Sequence, residues 1–169
     1  MAESYRQILD LLRLEKHPKE GGYFVETYRS AASQTFTTHN GQRSVGTAIY
    51  YLITPESFSA MHRLPGDEIF HHYMGATVEM LMLHPSGKHE VVRLGKDLLG
   101  LERPQVVVPG GTWQGSKLGT EGKGAGYALL GCTMAPGFDY ADYEHGVRAD
   151  LVKQFPAAAR HINLLTTSP

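Results

Sequence analysis

The rhythm of apolar and polar positions changes twice along the chain. At the start, Tyr5, Ile8, Leu11 and Leu12 recur at helical spacing, and Ser4 followed by Gln7 makes a capping-box pattern. Together they predict a helix over residues 4–16 with those four side chains as its buried stripe, ended by Pro18 and the pair Gly21-Gly22. From Gly22 to Pro136 the period is that of strands. "YFVETYRS", "SVGTAIYYLIT", "SFSAMHRL", "DEIFHHYM", "TVEMLMLH", "HEVVRLG", "PQVVVPG", "TWQGSKLG" and "GYALLGCTM" are short and rich in β-branched or aromatic residues. Most are bounded by Gly, Pro, Asp or Ser, and "HPSGKH" reads as a tight hairpin turn. Strands at this spacing with no helix between them predict an antiparallel sandwich or barrel. Beyond Pro136, "RADLVKQF" and "AAARHINLL" read as two short helical pieces separated by Pro156, within residues 148–165. The aromatic and acidic connector "GFDYADYEHG" is expected to fold back over the sheet. With no internal repeat and no low-complexity linker, residues 1–169 are expected to form one domain, its barrel over 22–136.

Composition narrows the function classes. The 169 residues are 41% hydrophobic and 20% charged, as in an ordinary globular chain. Basic residues number 16 against 17 acidic ones, a net charge of −1, which gives a nucleic-acid polymer no basic face to bind. Small anionic ligands stay open, because a few arginines suffice for them. A single cysteine, Cys132, rules out an internal disulfide and a multi-cysteine zinc knuckle. It lies in the apolar run "ALLGCTM" and is expected to be a small core residue. The opening "MAESYRQILD" lacks the regions of a signal peptide, and no apolar run approaches the roughly 18 residues that cross a bilayer. The expectation is a cytoplasmic protein with no membrane partner.

Candidate chemistry gathers in "HRLPGDEIFHHYMG", from His62 to Gly75. On a strand, neighbouring side chains point to opposite faces. His72 and Phe70 are therefore expected to share the interior with Glu68, while His71 and Tyr73 lie on the other face. A carboxylate inside a barrel needs a partner. Other motifs fail. "GTEGKGAG" lacks the residues of a phosphate loop and reads as a hairpin, and "GQRSVG" has one residue too many before its serine for a nucleophile elbow.

The same stretch resembles a known pair of motifs. His62, Glu68 and Gly75, followed by Pro109-x-Gly111 in "VVVPGGTWQG", are similar to the cupin motifs G-x5-H-x-H-x3–4-E-x6-G and G-x5-P-x-G-x2-H-x3-N. The strings "SAMHRLPGDEIFHHYMG", "VVVPGGTWQGSKLG" and "LLGCTMAPGFDY" resemble more narrowly the DUF985 branch, which has been grouped with sugar epimerases. The resemblance implies a mainly β, cupin-type double-stranded antiparallel β-helix, a jelly-roll barrel with an N-terminal helix and short C-terminal helices. It also implies a homodimer paired through edge strands. Departures from the motifs are specific: Leu64 stands for the second histidine, Gln114 for the third and Leu118 for the asparagine, with Glu56 and Arg103 for the leading glycines. Two of four metal ligands survive. No cofactor is therefore expected, and a divalent metal, if bound, would be held weakly by His62, Glu68 and Gln114.

Within such a barrel the expected ligand-binding residues are Phe70, His72, Gln114, Arg29, Arg63 and Tyr140. Aromatic faces, an amide, carboxylates and guanidinium groups suit a nucleoside diphosphate or a nucleotide sugar. Three readings follow. The first is a metal-independent epimerase or isomerase with His62 as base, Glu68 orienting it and Tyr50 as acid. The second is a binding or sensor protein without turnover. The third is a metal-dependent enzyme with a degenerate site.

Overall fold

A computed structural model describes residues 5–119 and 126–167. The Ser4 capping position and most of the hairpin expected at 119–126 lie outside them. The opening helix, α1 (Tyr5–Leu12), is shorter than its pattern predicts, because Arg13 turns to a positive φ of 55° and breaks the ladder. Its buried stripe also differs. Leu11 is 76% exposed, and Leu9 joins Tyr5, Ile8 and Leu12 against the sheet. The set 5, 8, 9, 12 follows the i, i+3, i+4, i+7 face of a helix, from which position 11 is rotated away.

The described strands are β1 (Glu15–Lys16), β2 (Tyr23–Arg29), β3 (Ser33–Thr35), β4 (Gln42–Ser44), β5 (Thr47–Ile53), β6 (Ser59–Arg63), β7 (Glu68–Gly75), β8 (Val78–Leu83), β9 (His89–Leu94), β10 (Gln105–Val108), β11 (Trp113–Leu118), β12 (Ala128–Met134) and β13 (Glu144–His145). Every segment expected from the period-two pattern is among them. A six-stranded sheet in the order β1-β2-β5-β12-β7-β10 faces a five-stranded sheet in the order β13-β6-β11-β8-β9, and β3 and β4 form a small ribbon. Neighbouring strands pair antiparallel, and the architecture is a jelly-roll barrel. The expected turn after β8 closes with the Gly87 amide donating to the His84 carbonyl at 2.9 Å.

The barrel interior is filled by Tyr51, Ile53, Phe70, Met80, Met82, Leu130 and their neighbours. Each sheet also buries much of its outer face, so β5, β8 and β12 read as nearly continuous apolar runs. Helix α1 covers Leu52, Leu129 and Tyr50 on the six-stranded sheet. On the other side, α2 (Arg148–Gln154) and α3 (Ala159–Leu164) place Leu151 and Ile162 against Met61, Leu81 and Trp113. The 138–145 segment folds back onto the barrel, where β13 extends the five-stranded sheet by pairing with β6. Among the described residues no helix is long and apolar enough to cross a membrane.

Candidate functional site

The site is built from both sheets and one turn. His62 on β6 is paired in register with Gln114 of β11, and Glu68 opens β7 on the opposite sheet. The Gln114 amide donates to Glu68 Oε2, a bond that ties the two sheets together. The Cys132 thiol of β12 donates to Glu68 Oε1 at 2.6 Å. Burial pushes the Glu68 carboxyl above its usual range, with the His62 charge opposing that rise and the Glu20 charge adding to it. The Cys132 thiol is driven well up, first by burial and then by the Glu68 charge.

The histidine tautomers follow from their partners. His62 Nδ1 lies 2.7 Å from the Ala60 carbonyl, which can only accept, so this nitrogen carries a proton. In the neutral ring Nε2 therefore presents a lone pair. It lies 3.8 Å from Glu20 Oε2 and 4.0 Å from Glu68 Oε2, too far for a direct hydrogen bond. The residue is 1% exposed, and its ring stacks on Tyr143 at a centroid distance of 5.3 Å.

Glu20 comes from the turn between β1 and β2. Ser59 donates to its Oε1 at 2.6 Å, and its own backbone N–H donates to His17 Nδ1 at 2.8 Å. The neutral His17 ring therefore carries its proton on Nε2. Burial lowers the His17 pKa, with the Glu20 charge acting against it. Gly21 and Gly22, at φ of 92° and 68°, make the turn possible. A Cβ at Gly21 would collide with the Phe58 carbonyl, and one at Gly22 would lie 2.8 Å from the Tyr51 hydroxyl. That hydroxyl donates to the Gly21 carbonyl at 2.8 Å, and burial, followed by the Glu20 charge, raises its pKa well above normal.

Of these groups His17, Glu20, Glu68 and Cys132 border a cavity of about 220 Å³, whose walls also include Arg29, Phe24 and Tyr140. Of the residues expected at a site, the structure brings together His62, Glu68 and Gln114, with Arg29 and Tyr140 on the cavity wall. Four others lie elsewhere. Tyr50 is on the outer face of β5 beneath α1, its ring 6.0 Å from that of Tyr73, because Ile49, Tyr51 and Ile53 take the inward positions. Arg63 also faces outward, over the Trp113 ring at 4.5 Å and bonded to Glu144 at 2.6 Å. Phe70 points inward as alternation requires, but it belongs to the packed core and not to the cavity wall. His72 is buried too, its Nε2–H donating to the Ala76 carbonyl at 2.9 Å, which holds the turn into β8.

The residues not foreseen are His17, Glu20, Phe24, Glu26, Phe138 and Asp139 on the wall, and Tyr143 behind His62. The sequence signal for the first two is "HPKEGG", three titratable side chains ahead of paired glycines, which reads equally well as a plain helix stop.

The donor set does not fit a resident metal. Leu64 is apolar, Gln114 turns its amide N–H toward Glu68, and both Glu68 oxygens already accept protein donors. Among the described residues, no group of three or more His, Cys, Asp or Glu side chains is placed to hold a metal ion.

A double-stranded β-helix with a polar pocket between its sheets defines the cupin class. The chain belongs to the cupin superfamily, in the family DUF985, whose pattern it matches over residues 6–146. It is 30% identical over 149 residues to the uncharacterized protein YML079W of Saccharomyces cerevisiae, covering 83% of this chain and 74% of that one. A hypothetical protein from Leishmania major shares its structure with a TM-score of 0.89 at 32% identity, covering 98% of this chain and 100% of the other. Protein SO0799 of Shewanella oneidensis superposes with a TM-score of 0.87 at 29% identity, over 99% of both chains. Oxalate decarboxylase from Bacillus subtilis, at 12% identity and a TM-score of 0.54 over 92% of this chain and 38% of its own, shares the fold alone.

Proposed function

We propose that this cupin binds a sugar-sized, hydroxyl-rich molecule and acts on it by acid–base chemistry, as an epimerase or isomerase that uses side chains in place of a metal. The observation that carries the reading is the gap at His62, where two cavity-lining carboxylates lie 3.8 and 4.0 Å from one imidazole nitrogen. Glu20, with one oxygen anchored by Ser59, is the base that removes a proton from carbon. Glu68, its carboxyl raised by burial, is the acid that returns one. His62 sits behind both, and its ring fixes the space between the two carboxylates. It is a positioning residue in this scheme, and Tyr50 has no part in it.

The cavity of about 220 Å³ is smaller than the roughly 300–1,000 Å³ pockets that enclose drug-sized ligands. A nucleotide sugar fits the same reading with only its sugar inside, its diphosphate left beyond Tyr140 and beside Lys19, whose Nζ lies 5.4 Å from that ring. The test is solvent-deuterium incorporation into a panel of free sugars, sugar phosphates and nucleotide sugars, with chelator-treated protein. Glu20→Gln should abolish incorporation while leaving binding measurable. Binding without exchange would make the protein a carrier or sensor, and exchange that requires added metal would overturn the scheme.

A further inference from the structure

We propose that the cavity selects a ligand bearing an ammonium group, an amino sugar or a comparably compact amine, over its neutral or phosphorylated counterpart. This rests on the same cavity as the reading above and adds the charge of what enters it. Glu20, Glu26, Glu68 and Asp139 line the wall with a single guanidinium, that of Arg29. Arg29 is already committed: it donates to the two Glu26 oxygens at 2.9 and 2.7 Å and to the Phe138 carbonyl at 3.1 Å. A phosphate would have to displace Glu26 to reach it.

Two further observations point to the same ligand class. The first lies behind the wall carboxylates Glu20 and Glu68, where Nε2 of the almost wholly buried His62 has no partner among the described residues within hydrogen-bond distance, its nearest acidic oxygens being 3.8 and 4.0 Å away. In the neutral ring this nitrogen makes three acceptors around one gap with Glu20 Oε2, at 3.8 Å, and the ionised Glu68 Oε2, at 4.0 Å, which also accepts from Gln114. What such a gap lacks is a donor, and an ammonium brings three donors and no acceptor. The second is the ring wall. His17 meets Phe24 edge to face at 4.8 Å, Phe138 meets Tyr140 at 4.9 Å, and His17 lies 6.0 Å from Tyr140. Ring faces beside carboxylates favour an organic cation, whereas a phosphate or a hydrated divalent ion gains little from them. The outer side of this wall already attracts an ammonium from the chain itself, Lys19, at 5.4 Å from both Tyr140 and Tyr143.

The experiment is calorimetric titration of the full chain, after chelator treatment, with 2-amino-2-deoxyglucose, glucose, N-acetylglucosamine, glucose 6-phosphate and Mn²⁺ alone. The amine should bind at least about tenfold more tightly than glucose or the N-acetyl form, since one charge-assisted hydrogen bond is worth that much. Asp139→Asn at the exposed rim should reduce the preference. Equal or tighter binding of a neutral or phosphorylated sugar overturns the proposal, as does binding of Mn²⁺ alone or of none of the probes. Deuterium exchange separates this outcome from the reading above. Amine preference without exchange supports the ligand class and removes catalysis, while exchange into a neutral sugar with no amine preference does the reverse.

Discussion

Gln114 donates its amide to the carboxylate of Glu68 from the sheet opposite the one that carries it. In this position the amide joins the His62 charge and the Cys132 thiol in keeping a buried carboxylate tolerable. Gln114→Ala should therefore leave a carboxylate oxygen short of a donor in the barrel interior. The expected loss is about 1–3 kcal/mol of unfolding free energy at neutral pH, read from urea denaturation. A loss below a few tenths of a kcal/mol would mean that the amide is idle.

Glu68 also gives stability a pH signature. Its folded pKa is raised, so between the ordinary glutamate value of about 4.3 and the higher folded value the native state binds more protons than the unfolded chain. Its contribution is fully present below the unfolded value and is lost as pH rises through the folded one. Glu68→Gln removes that loss, so the wild-type stability should decline relative to the variant as pH is raised above the ordinary glutamate value of about 4.3 and through the raised folded one. Parallel curves would contradict the raised pKa.

The thiol of Cys132 is held protonated by burial and by the neighbouring carboxylate. Alkylation by iodoacetamide at mildly alkaline pH should be much slower in the native protein than in urea, since burial both shields the sulfur and disfavours the thiolate that reacts. Complete native modification within minutes would place the thiol in a different environment.

Gly21 offers a test of how the turn delivers Glu20. Gly21→Ala combines a positive φ with a collision at the Phe58 carbonyl. The expected destabilisation exceeds about 1 kcal/mol, and any ligand affinity that depends on Glu20 should fall with it. Unchanged stability in thermal denaturation would show that the turn relaxes freely.

The longer strands are legible in the sequence because each is a run of at least about four residues rich in β-branched, aromatic or apolar side chains, most of them bounded by turn residues. The runs alternate in some strands and are nearly continuously apolar in β5, β8 and β12. β1, β3, β4 and β13 are not, being two or three residues long, too short to show a period. The site is legible in part, for a related reason. His62, Glu68 and Gln114 lie on strands whose alternation sets their direction, and alternation also places Phe70 and His72 inside. It cannot say how deep along the barrel axis each will sit. In "AIYYLI" it leaves open which of two adjacent tyrosines faces inward, and the inward one is Tyr51. Glu20 is hidden for another reason: its position depends on a glycine turn and on Ser59, 39 residues away, a contact that no local pattern encodes.

The 138–145 segment, which lays Tyr143 on His62, joins Asp142 to Arg43 across 99 positions of sequence. The cavity wall itself runs from His17 to Tyr140. Such a pocket has no early version during synthesis: its first and last walls meet only when nearly the whole barrel has emerged. Ligand binding would then report completed folding, and a chain cut before residue 138 should bind nothing even if its sheets form.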